Sequence, residues 1–265
     1  MTDLVVSELY RYPLKSAGGE ALRSAEMDSF GLARDRRWML VDDAGVFVSQ
    51  RSTPAMALLR ALARDDGLHL AHDDAELLVT VPRADAPLCD VDIWGDQVAA
   101  LRADASASEW VSARIGRAVH LVYLPDTARR AVDPAFASAG ELVAFSDGFP
   151  LLLITQASLD SLNERLERPV PMNRFRPNIV IAGADAHAED EWRRLRIGGA
   201  EVALVKPCSR CAVPSVDQAT AERDTAINRT LASYRRRDGA IYFGMNALGA
   251  AGARFTVGDS VEVLH

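Results

Sequence analysis

The sequence predicts a mostly-β protein with a few short helices, an α+β chain in two modules. Three observations carry this. The first hundred residues are short apolar segments separated by tight turns, with no long helical period between them. The stretch from Pro125 to Gly140 is rich in Ala, Asp and Pro and has no apolar period. Beyond it, apolar strands alternate with amphipathic helices.

In chain order, Val5–Tyr12 is an apolar and aromatic strand broken by Pro13. Trp38–Val41 turns through Asp42-Asp43-Ala44-Gly45 and returns as Val46–Val48, a hairpin with a glycine in its loop. Leu68–Ala71 and Leu77–Val81 flank His72-Asp73-Asp74 as a second hairpin, and Asp90–Trp94 with Val98–Leu101 make a third. Such a series argues for an antiparallel barrel or sandwich. Ser106 and Glu109 have capping-box spacing and Gly116 suits a helix stop, so a helix is expected over Ala107–Ile115. His120–Leu124 is a strand, and the segment after it is a linker or wrapping loop. In the second module, strands are expected at Leu151–Ile154, Asn178–Ile181, Val202–Val205, Ile241–Phe243 and Ser260–Leu264. Leu159, Leu162 and Leu166 mark one helix; Ile227, Leu231 and Tyr234 mark another.

Composition narrows the function. The chain has 265 residues, 49% hydrophobic and 25% charged, so it is long enough for one large or two modest domains and is not disordered. Thirty basic against 37 acidic side chains leave a net charge of −7, a poor basis for nucleic-acid binding. No apolar run approaches membrane-spanning length, and charges in the first residues argue against a signal peptide. Three cysteines cannot build a disulfide scaffold, so a reducing, cytoplasmic compartment is expected.

The sharpest local feature is Lys206-Pro-Cys208-Ser-Arg-Cys211, directly after an apolar strand. A zinc site needs two more ligands, and neither Cys89 nor the five scattered histidines stand at finger-like spacing. A thioredoxin-type pair should open a helix, whereas Pro214 follows at once. What is left is a thiolate on a loop beside Lys206 and Arg210, or two incidental buried cysteines. Three basic segments, Tyr12–Gly19, Arg34–Trp38 and Arg174–Asn178, set Lys or Arg beside small polar residues at strand ends. Together they fit one anion pocket, and singly each fits solvated charge at a loop end. The four tryptophans read as core or rim packing. Ser146-Asp147 lacks the glycines of a nucleophile elbow, and no dinucleotide or phosphate-loop fingerprint is present.

These residues, taken in order, resemble a known family along nearly the whole chain: RYPLKS at 11–16, ARDRRW at 33–38, SDGFPLLLITQASLDSLNERL at 146–166, RFRPNIVI at 174–181, AEDEW at 188–192, CSRCAVPSVD at 208–217 and TVGDSVEVL at 256–264. The family is that of the two-part MOSC proteins, with its amidoxime-reducing and YcbX-type branches. The resemblance implies an antiparallel β-barrel domain over residues 1–124 packed against a MOSC-type β-barrel domain over residues 125–265. It implies that Cys211 is the thiolate ligand of molybdenum and the catalytic residue, and that Cys208 is not a ligand. It assigns Lys15, Ser16, Arg36, Arg176 and Asn178 to the molybdopterin and its phosphate. Two departures stand out: Pro214–Gln218 replaces a threonine-rich segment ending in Val-Asp-Pro, and Gly148-Phe149 replaces a pair of small hydroxyl residues.

The implied activity is reduction of N-hydroxylated compounds, hydroxylamines or amidoximes. With no cysteine after Cys211, a four-thiolate iron–sulfur cluster cannot form in this chain, so electrons are expected from a separate ferredoxin- or flavin-type reductase. The alternative is a non-catalytic carrier of molybdenum cofactor or of persulfide sulfur.

Overall fold

The computed structural model describes residues 3–264. Its largest sheet has nine strands and draws on both ends of the chain. The order is Val261–Leu264, Arg194–Ile197, Ala200–Ser209, Ala240–Gly249, Leu151–Thr155, Ile179–Ala182, Val5–Arg11 and Glu20–Leu22, with the short strand Arg236–Arg237 also on Ala240–Gly249. All pairs are antiparallel except Leu151–Thr155 with Ile179–Ala182, whose parallel pairing requires the crossover helix Gln156–Asn163. Val6 N–H donates to Asp259 O at 2.9 Å and Val261 N–H to Leu4 O at 2.8 Å, which ties the first strand to the last and closes the sheet into a barrel.

Leu151–Thr155 and Ile179–Ala182 are covered on both faces and read as unbroken apolar runs, whereas Arg194–Ile197, open on its outer face, alternates. Ile179 and Ile181 point inward with Val6, Leu9, Leu153 and Leu195, while Val180 points outward with Ile154 and Phe243. The helices Gln156–Asn163 and Ala226–Tyr234 cover that outer layer with Leu159, Leu162, Ile227 and Leu231. Each such side chain contributes about 1.5–3 kcal/mol by leaving water.

Ser24–Asp28 and Gly31–Leu32 join Arg254–Thr256 in a small three-stranded sheet, and a four-stranded sheet is ordered Trp38–Val41, His120–Tyr123, Asp96–Arg102 and Leu88–Ile93. A three-stranded sheet of Arg60–Arg64, Gly67–His72 and Ala75–Val79 accompanies it. Alternation sets the packing: Trp38 and Leu40 face Leu14, Met56, Leu70 and Val111, whereas Met39 and Val41 face Val91, Ile93 and Phe145. The expected hairpins at Asp73-Asp74 and Trp94-Gly95 are present.

Several local expectations need correction. The first helix runs Ala105–Ile115 with Asp104 at its N-cap and no side-chain capping bond, so Ser106 and Glu109 lie inside it rather than forming a box. Gly116 closes it in the left-handed conformation, as expected. The strand expected at Val202–Val205 extends from Ala200 to Ser209, because irregularities at Leu204/Lys206 and Pro207/Ser209 let pairing pass the donor-less Pro207. Cys208 therefore sits on a strand, with Cys211 just beyond it. The boundary expected at residue 124 does not separate the sheets: Val5–Arg11 pairs with Ile179–Ala182, and Ser24–Asp28 pairs with Arg254–Thr256. Among the described residues no helix is long and apolar enough to cross a membrane. Met1, Thr2 and His265, which entered the sequence reading, lie outside the described residues.

Candidate functional site

The basic segments and the cysteine pair converge on one cleft. Lys15, Ser16, Arg36, Arg176, Asn178 and Cys211 all line it, together with Arg51, Asp147, Cys208 and Arg210. Its walls come from the turn after the first strand, the segment entering Trp38, the loop before Leu151, the segment before Ile179 and the end of the Ala200–Ser209 strand. Three of the lining residues are in the left-handed region: Ser16 at φ 65°, Arg36 at φ 47° and Arg176 at φ 57°. For residues with a Cβ this costs about 1–2 kcal/mol each, which surrounding contacts must hold in place.

Those contacts are specific. Arg36 Nη1 donates to Asn178 Oδ1 at 3.1 Å and pairs with Asp35, and its Nη2 donates to Arg176 O at 3.3 Å. The guanidinium groups of Arg36 and Arg176 lie 4.5 and 4.2 Å from the centre of the Tyr12 ring. Asn178 is buried: its Oδ1 also accepts from Leu152 N, and one Nδ2 hydrogen goes to Tyr10 O. Its carbonyl therefore aims Arg36. Arg176 Nη1 donates to Ala17 O at 2.6 Å, while Nη2 is buried with no partner. Arg210 donates from Nη1 to Cys208 Sγ at 3.2 Å and from Nη2 to Phe175 O at 2.8 Å, leaving its Nε buried and unpartnered. An orphaned buried donor costs about 1–3 kcal/mol, and two of them at one cleft call for an acceptor from outside the chain.

The electrostatics agree. Five cations, Lys15, Arg36, Arg51, Arg176 and Arg210, face a single lining carboxylate, Asp147. Burial lowers Lys15 to about 8 against the opposing pull of Asp147, and lowers Arg176 to about 10. Lys15 Nζ donates to Phe145 O at 2.8 Å and to Asp147 Oδ1 at 2.5 Å, and Arg51 donates to Asp147 Oδ2 at 3.0 Å. Burial would favour the neutral acid at Asp147, but Lys15 and Arg51 outweigh it and hold the carboxyl well below its ordinary range. Arg51 is raised: burial opposes its charge, and Asp147 and Cys211 overcome that.

The cysteine loop is braced from behind. Arg174, also buried, donates to Pro214 O and Ser215 O and pairs with Asp217 at 2.7 Å. Asn228 Nδ2, on the helix Ala226–Tyr234, holds Cys211 O at 2.9 Å. Among the described residues no three His, Cys, Asp or Glu side chains gather as a metal cage. Cys211 is a single soft donor, so a metal here has to bring its other ligands with it.

Sequence reasoning missed Arg51 and assigned no role to Asp147. It set Lys206 beside the thiols, yet the ammonium lies 4.4 Å from the centre of the Phe136 ring, and the cation next to Cys211 is Arg51. The signal for Arg51 was a cation at the end of a returning strand, the pattern that marked the other segments. Trp94 is a rim tryptophan, as read, but its Nε1 reaches Asp147 at 3.2 Å.

Comparison with known proteins fits this arrangement. The model of the MOSC N-terminal beta barrel domain matches residues 3–118, and that of the MOSC domain matches residues 141–262. Mitochondrial amidoxime-reducing component 1 of Mus musculus is 35% identical over 245 residues, 88% of this chain and 72% of that protein. The chain belongs to the MOSC family. This MOSC protein is also 33% identical over 244 residues to mitochondrial amidoxime reducing component 2 of Bos taurus, covering 88% and 73% of the two chains. It is 30% identical over 272 residues to the molybdenum cofactor sulfurase of Oryza sativa subsp. japonica, covering 92% of this MOSC protein and 32% of the sulfurase.

Proposed function

We propose that this chain is a molybdenum-cofactor-dependent reductase of N-hydroxylated compounds, hydroxylamines and amidoximes, supplied with electrons by a separate ferredoxin- or flavin-type reductase. The observation that carries the reading is Cys211 opening onto a cleft where five cations, drawn from both halves of the chain, face one carboxylate. The amidoxime-reducing relatives support the substrate class. Lys15, Ser16, Arg36 and Arg176 hold the anionic pterin and its phosphate, with Asn178 fixing the aim of Arg36 and the unpartnered Nη2 of Arg176 taking one oxygen. Arg51 and Arg210 add positive charge next to the thiols. Cys211 is the protein's thiolate on molybdenum and the catalytic residue. When bound, the cofactor supplies a two-electron redox centre that takes oxygen from an N–O bond. Residues 125–265 carry the thiolate and residues 1–124 carry Lys15, Ser16, Arg36 and Arg51, so both halves are needed. A reducing, cytoplasmic compartment suits three unpaired cysteines.

The test is metal and pterin analysis of protein from a molybdenum-cofactor-competent host, with hydroxylamine reduction driven by reduced viologen. About one molybdenum per chain and turnover are expected. Cys211→Ala should abolish turnover and weaken metal retention, whereas Cys208→Ala should largely spare both. Equal loss from the two variants would indicate a dithiol or persulfide mechanism. The sulfurase relative keeps a carrier in view: cofactor bound at full occupancy without turnover would establish that reading in place of the reductase.

A further inference from the structure

The cleft opens outward into a second, wider chamber of about 640 Å³ that shares Arg51, Asp147, Phe149, Cys208, Arg210 and Cys211 with it. Its own walls are Trp94, Lys206 and the segment around Asp133, none of which lines the inner cleft. The volume falls within the range of small-molecule sites.

Two features look built rather than incidental. Trp94 occupies the first position of a tight hairpin turn at φ 60°, followed by Gly95 at φ 89°, where Asn or Gly is the usual residue. The ring stays there through Phe47 at 4.8 Å, the guanidinium of Arg51 at 4.4 Å and the bond from Nε1 to Asp147, yet half of its surface remains open. A large apolar residue held in a strained conformation at the mouth of a site points to contact with a ligand. Opposite in chemistry, Lys206 makes no ion pair or side-chain hydrogen bond among the described residues. Its ammonium lies 4.4 Å from the ring centre of Phe136 and 5.8 Å from that of Phe149, and these two rings pack edge to face at 5.9 Å. Two of the chamber's carboxylates are already paired with cations, and the third holds a backbone N–H. Asp96 pairs with Arg130 at 2.9 Å, Asp147 is shared by Lys15 and Arg51, and Asp133 accepts from Ala135 N at 3.0 Å. Arg51, Arg130, Lys206 and Arg210 against three aspartates leave the chamber positive; among the described residues neither Lys206 nor Arg210 pairs with a carboxylate, and Arg210 is already engaged with Cys208 Sγ and Phe175 O.

We infer that this outer chamber is the substrate-recognition subsite, and that it selects planar aromatic N-hydroxylated compounds bearing an anionic substituent. Trp94 and Phe149 take the ring, and Lys206, held against Phe136 and Phe149, takes the anion. The N–O group is left directed toward Cys211. The inference rests on the reductase reading for its substrate class, but its test is one of binding.

Cofactor-loaded protein is titrated with 4-carboxybenzamidoxime, benzamidoxime and 4-(aminomethyl)benzamidoxime while tryptophan fluorescence is followed, and the same three are assayed with reduced viologen. The carboxylate should bind about tenfold more tightly than the neutral compound, the worth of one charge-assisted contact, and the cation more weakly than either. Lys206→Gln should bring the carboxylate-to-neutral ratio close to one, and Trp94→Phe should remove most of the fluorescence change. Equal affinities, preference for the cation, or a ratio unmoved by Lys206→Gln would overturn the inference. Discriminating binding without any turnover would leave the chamber standing and remove the reductase reading, and indiscriminate turnover would do the reverse.

Discussion

Lys15→Met tests the electrostatic account of the cleft most directly. The substitution keeps the aliphatic stem and removes an ammonium with 5% of its residue surface exposed. Burial lowers Lys15 from 10.5 to about 8, so keeping it charged in the folded chain at pH 7 costs about 3 kcal/mol. The variant escapes that cost but leaves Phe145 O without its donor, about 1 kcal/mol. The attraction of Asp147 is already part of that lowered value, so losing the pair adds no separate cost, and Asp147 keeps Arg51. The cofactor-free variant should therefore be more stable at pH 7 by about 2 kcal/mol, or roughly 4–8 °C in Tm for a chain of this size. Because the folded-state value lies below the unfolded one, the cost is fully present below about pH 8 and is relieved as pH rises toward 10.5. Wild type should regain about 2.5 kcal/mol relative to the variant between pH 7 and pH 10, so the order of the two melting temperatures reverses. Calorimetric melting of both cofactor-free proteins at pH 7, 8.5 and 10 measures this, with other titrating groups cancelling in the difference. A gap that stays constant with pH would refute the reasoning. The same variant should retain less molybdenum, which would mark the buried lysine as a stability cost maintained for binding.

Pure protein should reduce a hydroxylamine with reduced viologen but not with NADH alone, and a ferredoxin- or flavin-type reductase should restore NADH-dependent turnover; robust NADH oxidation by the single chain would remove the need for a partner. Residues 125–265 expressed alone should fail to melt cooperatively, since Val5–Arg11 supplies the strand beside Ile179–Ala182, and a sharp calorimetric transition from that fragment would contradict the closed barrel. Glu189 is fully buried and accepts from Thr155 Oγ1 at 2.8 Å, Ser158 Oγ at 2.7 Å and Thr155 N at 3.3 Å; the two hydroxyls also bond each other, so Glu189→Ala should cost about 2 kcal/mol in denaturant melts by stranding one hydroxyl and the Thr155 N–H. A midpoint equal to wild type would show that water replaces the carboxylate.

Much of this was legible along the chain because it is local. Alternation exposed the hairpins, glycine at residue 116 ended its helix, and the cations of the future cleft stood beside small polar residues at strand ends. What stayed hidden depends on distance or on conformation. Val5–Arg11 reads as one more N-terminal strand, and nothing near it announces a partner some 170 residues away. Bulky residues disfavour the left-handed region, so the sequence gives no warning that Ser16, Arg36, Trp94 and Arg176 adopt it. Arg51 and Asp147 look like ordinary loop charges until the fold puts one cation between Asp147 and Cys211.

The pairing of Val5–Arg11 with Ile179–Ala182 also sets a timetable for the newborn chain. At about 5–20 residues per second, a ribosome needs roughly 10–30 s to make the partner after the first strand has emerged. Through that interval the strand has only the three residues Glu20–Leu22 on one side, and its other edge is bare. Arg36 likewise waits for Asn178, and Lys15 for Asp147, so no anion cradle exists on an unfinished polypeptide. On the proposed function, loading then follows release or near-completion of synthesis, and a stalled or clipped chain carries a sticky edge without an assembled cleft.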